Sequence, residues 1–194
     1  PNPSDKSFET LNNFKKSCNV DLFFALSHGV HRGVLKSGKT DDRIQFLNKL
    51  KKITPNIKFD IYGIDKVQPI WADHYFKTIS NAKMGLNLSR GEAIKYYSSD
   101  RITQIVGNGL VCLIDQKTNY QNFFNENEMV FYKSLSDLSE KVIKISSDDN
   151  LRRKIARNGK RKYMKYFNSD LVSEYIINKS LEIKTSKKYL WERK

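Results

Sequence analysis

Two periods of apolar residues alternate along this chain. Short runs rich in apolar residues, Val20 to Leu26 (VDLFFAL), Ile57 to Tyr62, Met84 to Leu88, Leu110 to Ile114 and Met129 to Tyr132, have the length of strands buried in a sheet. Between and after them the apolar period lengthens to that of a helix. Asp41 to Ile53 sets Ile44, Leu47, Leu50 and Ile53 on one face, with Thr40 as the expected N-cap and Pro55 beyond the end. Trp71 to Ala82 reads as a second helix, with Trp71, Phe76 and Ile79 at core spacing, and Asp100 to Val106 as a third. Leu135 to Ser146, Asn150 to Phe167, and Asp170 into a basic tail ending Tyr189-Leu190-Trp191 complete the helical part. Strands alternating with helices predict an α/β fold: a Rossmann-like parallel sheet with helices on both faces, right-handed crossovers and closing C-terminal helices. Such a sheet takes its ligands outside the carboxyl ends of its strands.

At 194 residues, 39% hydrophobic and 29% charged, the chain has material for one core. The expected organisation is a linker or N-terminal extension over 1–19, a Rossmann-like domain over 20–183 and a basic tail over 184–194. The start at Pro1-Asn2-Pro3, with no methionine, reads as a fragment of a longer protein. Cys18 and Cys112 are far apart, and Cys112 sits in an apolar run, so reduced thiols are expected rather than a disulfide. With no bilayer-length apolar run and no leader, a cytoplasmic location is the default.

A net charge of +14 raises nucleic acid as a partner. Lysine is spread along the whole chain among asparagine and isoleucine, however, and aromatics do not interleave with the basic residues as they do on an RNA-stacking sheet. No specific nucleic-acid partner is therefore expected. A nucleic-acid module using Lys160-Arg161-Lys162 remains the alternative, beside a non-catalytic Rossmann-like interaction domain.

Candidate chemistry concentrates in Ser89-Arg90-Gly91, then Tyr97-Ser98-Ser99-Asp100-Arg101-Ile102, running on to Gly107-Asn108-Gly109 and a further strand. A strand, a polar loop and a helix start bring hydroxyls, backbone amides and arginines together where a βα unit opens a crevice, an arrangement that holds a phosphorylated ligand. Ser98 or Ser99 equally suits a plain N-cap, and Gly107 and Gly109 suit a helix C-terminus and the turn that follows. No His, Cys or carboxylate cluster has metal-ligand spacing, so no metal or cofactor is expected. A dinucleotide oxidoreductase is disfavoured, because no G-x-G-x-x-G turn follows Leu26.

In element order, in the Arg90-Gly91 loop, in the Ser98-Ser99-Asp100-Arg101 helix start and in the glycine before Leu110-Val111-Cys112-Leu113, the chain resembles the C-terminal, donor-binding domain of GT-B glycosyltransferases of group 1. The resemblance runs from about Val20 to about Ile183. It implies one half of a GT-B fold and transfer of a sugar from a nucleoside diphosphate sugar to an acceptor, the nucleotide sugar being substrate and not cofactor. A partner Rossmann domain, expected outside this chain, would carry the acceptor site, leaving this half inactive alone.

The donor-binding residues the resemblance implies are Ser27, Gly29, Arg32, Lys36, Gly63, Ile64, Arg90, Ser98, Ser99, Asp100, Arg101 and Gln104, with the nucleobase along Ile64 to Pro69. Asp100 is expected to cap helix amides or to orient Arg101, and His28 is the one candidate for a catalytic role. Many retaining members carry two glutamates in this region. Counted back from Gly109, Tyr96 and Gln104 occupy those positions, which leaves the stereochemistry open. Trp191 in the tail also admits a weak peripheral contact with an anionic membrane.

Overall fold

The computed structural model describes residues 1–27, 41–97 and 99–192. Five strands, β1 (Val20–Ala25), β2 (Phe59–Tyr62), β3 (Ala82–Asn87), β4 (Val111–Asp115) and β5 (Val130–Tyr132), form one sheet in the order β2-β1-β3-β4-β5. Every pairing is parallel, with Leu22 beside Phe59 on one side and Met84 on the other, Gly85 beside Cys112, and Leu113 beside Val130. Parallel strands need crossovers; α-helices supply the first three, and two short 3-10 turns, Gln116–Thr118 and Tyr120–Asn122, lie between β4 and β5. The crossover helices are α1 (Asp42–Ile53), α2 (Ala72–Ile79) and α3 (Arg101–Gly107), and α4 (Leu135–Ser147), α5 (Asp149–Tyr166) and α6 (Ser169–Ser180) follow β5.

Alternation along β1 divides the core. Leu22 and Phe24 face Leu47 and Leu50 of α1 and Leu138 and Val142 of α4, whereas Phe23 faces Ile79 of α2 and Ile102 and Ile105 of α3. Both faces are sealed, as a central parallel strand requires. Ile155 of α5 joins the first layer and Tyr163 the second.

Several boundaries differ from the sequence expectation. Asp41, not Thr40, caps α1, its carboxylate accepting the Arg43 amide at 3.1 Å. The second helix stops at Ile79, and Ala82 opens β3. Ile79 is fully buried as its spacing predicts, but Trp71 precedes the helix and is 61% exposed. α3 ends as its two glycines suggest: the Gly109 amide donates to the Val106 carbonyl and the Leu110 amide to that of Ile105, with Gly109 at φ +78°. That is a Schellman closure, and the left-handed residue suits glycine.

Residues 1–19 lie along α3, α5 and the start of α6. Ser4 bridges to Asn168, the Tyr163 hydroxyl donates to the Asn2 carbonyl at 2.8 Å, and fully buried Arg152 donates to the carbonyls of Asn13 and Lys16, both at 3.0 Å. The tail folds back as well, its Trp191 ring packing on Phe167, Tyr175 and Tyr189. Cys18 and Cys112 are free and buried. Among the described residues, no helix is long and apolar enough to cross a membrane.

Candidate functional site

In the order β2-β1-β3-β4-β5 the chain runs outward in opposite directions from β1 and β3. The crevice between their carboxyl ends is where ligands bind such sheets. Arg101, the first residue of α3, bridges that point. Its Nε donates to the Ala25 carbonyl at the end of β1 (3.3 Å), and its Nη1 donates to the Leu88 carbonyl just past β3 (3.2 Å) and to Ser99 Oγ (3.0 Å). The guanidinium also lies over the Phe24 ring, 4.8 Å from its centroid. Burial, with the like charge of Arg43 adding to it, lowers the Arg101 pKa to about 10, so the group stays cationic near neutrality.

Two hollows meet at this guanidinium. One, about 310 Å³, is lined by Arg43, Arg90 and Arg101 with Ser27, Ser89, Ser99 and Tyr97. Behind it, buried Asp41 holds Arg43 by a two-point ion pair (2.9 and 2.6 Å) and stands 4.0 Å from Arg90. Among the described lining residues, three guanidinium groups and no carboxylate face the hollow, which leaves it positive. Fork-shaped donors of this kind match phosphate oxygens.

The other hollow, about 400 Å³, shares Leu26, Ser27, Ser99 and Arg101 and continues between Ile70, Trp71, Tyr75 and Phe76 on one wall and Asp100 and Gln104 on the other. Trp71 stands out of its wall, and the next residue, Ala72, has φ +46°. The Tyr75 hydroxyl is buried with no hydrogen-bond partner among the described residues, and burial pushes its pKa well above the usual phenol range. Asp100 and Gln104, four apart, share one face of α3. The crevice is therefore cationic at one end, aromatic at the other and lined with hydroxyl and amide groups between.

The structure brings together Ser27, Arg90, Ser99, Asp100, Arg101 and Gln104. Gly63 and Ile64 are buried and line neither hollow, Ile64 in the core layer with Leu47 and Leu50 and the Gly63 amide donating to the Val67 carbonyl. The wall next to α2 is instead made by Ile70 and Trp71. His28, Gly29, Arg32, Lys36 and Ser98 lie outside the described residues.

Two local expectations are corrected. Asp100 makes no side-chain cap bond, and Arg101 is oriented by Ala25, Leu88 and Ser99 rather than by Asp100. The Ser99 hydroxyl does not cap the helix either: it donates to Asn87 Oδ1 at 3.3 Å while accepting from Arg101. Sequence reasoning passed over Arg43 and Tyr75 and assigned Trp71 and Phe76 to the core. Arg43 had a signal, since an arginine two residues after a capping aspartate, at the start of the helix that follows β1, lies beside the strand ends. Among the described residues, no group of three or more His, Cys, Asp and Glu side chains is placed to hold a metal ion.

Comparison with known proteins adds the following. A family model described as glycosyl transferase-like matches residues 43–178. No curated protein sequence matches. Among solved structures, the chain is similar to a variant of TarM from S. aureus in complex with fondaparinux, alpha-GlcNAc-glycerol and UDP, at 12% identity and TM-score 0.61, over 84% of this chain and 36% of that one. It is also similar to an alpha1,3-fucosyltransferase with GDP-fucose, at 10% identity and TM-score 0.59, over 93% of this chain and 51% of that one. The chain thus spans about a third to a half of the length of these structures.

Proposed function

Since this chain belongs to the glycosyl transferase-like family, we propose that it is the donor-binding half of a GT-B glycosyltransferase and that its β1/β3 crevice holds a nucleoside diphosphate sugar. The observation that carries this reading is Arg101, fixed between the ends of β1 and β3 where the cationic and aromatic hollows join. The diphosphate lies over Arg101 toward Arg43 and Arg90, within reach of the Ser27 and Ser99 hydroxyls. The nucleoside runs toward Trp71, Phe76 and Gln104, whose amide both donates and accepts and so suits a sugar hydroxyl.

Transfer breaks the bond between the anomeric carbon and the diphosphate oxygen, so negative charge grows on the leaving group. Cations already held in place by backbone carbonyls and by Asp41 stabilise that charge with little reorganisation. The Asp100 carboxylate, at the lip of the crevice, only accepts hydrogen bonds and repels phosphate oxygens, so it suits the hydroxyl and N–H donors of the sugar and base and not the diphosphate. Similar folds recorded with UDP and with GDP-fucose support a nucleotide-sugar ligand. The acceptor and the remaining catalytic groups are assigned to a partner domain outside this chain, so the chain alone is expected to bind donor without turning it over.

The test is a thermal-shift titration with UDP, GDP, ADP and CMP, repeated on Arg90→Ala and Ser99→Ala. Stabilisation by a nucleoside diphosphate that weakens in both variants supports the reading. No stabilisation by any of the four at millimolar concentration overturns it.

A further inference from the structure

α5 carries eight basic residues and a single acid over eighteen positions. Its inner side, Arg152, Ile155, Ala156, Gly159 and Tyr163, is buried against the core. From Lys154 to the end of the helix, the exposed positions are Lys154, Arg157, Arg161 and Lys165. Their spacing of three, four and four residues puts them in one row, about 4.5–6 Å apart along the axis and about 16 Å from end to end.

None of the four has an acidic partner among the described residues. The nearby acids are engaged elsewhere: Asp149 with Arg152 and Arg153, Glu128 with Lys162, and Glu9 with the Asp5 amide. Arg157 lies over the Phe14 ring, Lys165 over Tyr166, and Arg161 donates to Asn158, contacts that fix these side chains without neutralising them. A lysine-rich composition scatters cations, but it does not by itself clear acids from one face of the longest helix.

We propose that this row is a docking surface for a linear phosphate polymer laid along α5 and recognised through its charge. The donor crevice takes no part in this site. A bilayer fits less well, because α5 exposes no large apolar residue to enter a headgroup layer. Single-stranded nucleic acid fits less well too, because no exposed aromatic ring stands in the row for bases to stack on.

The test measures binding of end-labelled inorganic polyphosphate to the whole chain by fluorescence anisotropy. Four phosphate contacts give a log–log salt slope of about −2.8, or about a 50-fold loss of affinity between 50 and 200 mM salt. Joint substitution K154Q, R157Q, R161Q and K165Q is expected to flatten that slope and abolish binding at 150 mM salt with the melting temperature unchanged. A control losing the same charge from other exposed lysines, K49Q, K51Q, K52Q and K133Q, is expected to keep most of the slope. Equal loss in both variants would reduce the effect to net charge and overturn the proposal. Binding of an oligothymidylate or of a DNA duplex of equal charge at least tenfold more tightly would replace the partner with nucleic acid. Binding to phosphatidylglycerol vesicles without binding to polyphosphate would replace it with a bilayer.

Discussion

Substituting alanine for Gly63 and, separately, for Gly91 divides backbone strain from collision in the wall that supports the crevice. Both glycines have positive φ, +79° and +64°. A side chain in that left-handed region costs about 1–2 kcal/mol at either site. At Gly91 a Cβ meets nothing within 4 Å, so the strain is the whole effect. At Gly63 it would stand 2.1 Å from the Leu26 carbonyl oxygen, and that oxygen belongs to backbone at the end of β1. Relief requires β1 and β2 to part by roughly 1 Å, an overpacking that adds about 1–3 kcal/mol. The expected losses are therefore about 1–2 kcal/mol for Gly91→Ala and about 2–5 kcal/mol for Gly63→Ala. In a chain of this size the difference corresponds to about 2–12 °C in Tm. Leu26 is paired to Tyr62 and follows Ala25, whose carbonyl anchors Arg101, so Gly63→Ala should also weaken nucleotide binding. Urea unfolding of both variants measures the gap. Losses equal to within about 0.5 kcal/mol would refute the collision at Leu26.

Other perturbations have equally definite outcomes. Arg152→Ala empties a fully buried site and leaves the carbonyls of Asn13 and Lys16 without their donor, and should cost about 3–5 kcal/mol and expose residues 1–19 to limited proteolysis, read by urea unfolding and by N-terminal cleavage. Trp71→Ala, at an exposed position, should leave Tm within about 2 °C, yet weaken UDP or GDP binding by about 1–3 kcal/mol while sparing pyrophosphate, as calorimetry would show. The Asp5 carboxylate, accepting from the Ser7 hydroxyl, the Ser169 hydroxyl and the Ser7 amide, has its pKa lowered from 3.8 to about 2. A depressed carboxylate pKa adds stability that is fully present above pH 3.8 and is lost as the pH falls toward 2. Asp5→Asn should therefore flatten that segment of the acid unfolding curve.

Core periodicity made most of the fold legible. Leu47, Leu50 and the alternating residues of β1 are buried where their spacing places them, because burial in a two-faced parallel sheet leaves few other arrangements. Boundaries were less legible, since Asp41 and Thr40 are both good caps and only the ion pair with Arg43 decides between them. Of the crevice, the β3–α3 side was readable because its residues are close in sequence. The opposite wall was not: Trp71 has core chemistry and core spacing, and its exposure depends on α2 starting one residue later, at Ala72. Gly63, a donor-contact candidate by resemblance, also carries a steric requirement set by Leu26 at the end of the neighbouring strand. Such cross-strand distances have no signature within a single segment.

The most direct test of the donor-crevice account is a titration of the isotopically labelled chain with UDP and GDP, followed by proton–nitrogen correlation spectra. The account predicts saturable shifts at the Arg101 Nε, the Trp71 indole, and the backbone amides of Ser27, Ser99 and Gln104, with α5 undisturbed. Shifts confined to α5, or none at millimolar nucleotide, would contradict it.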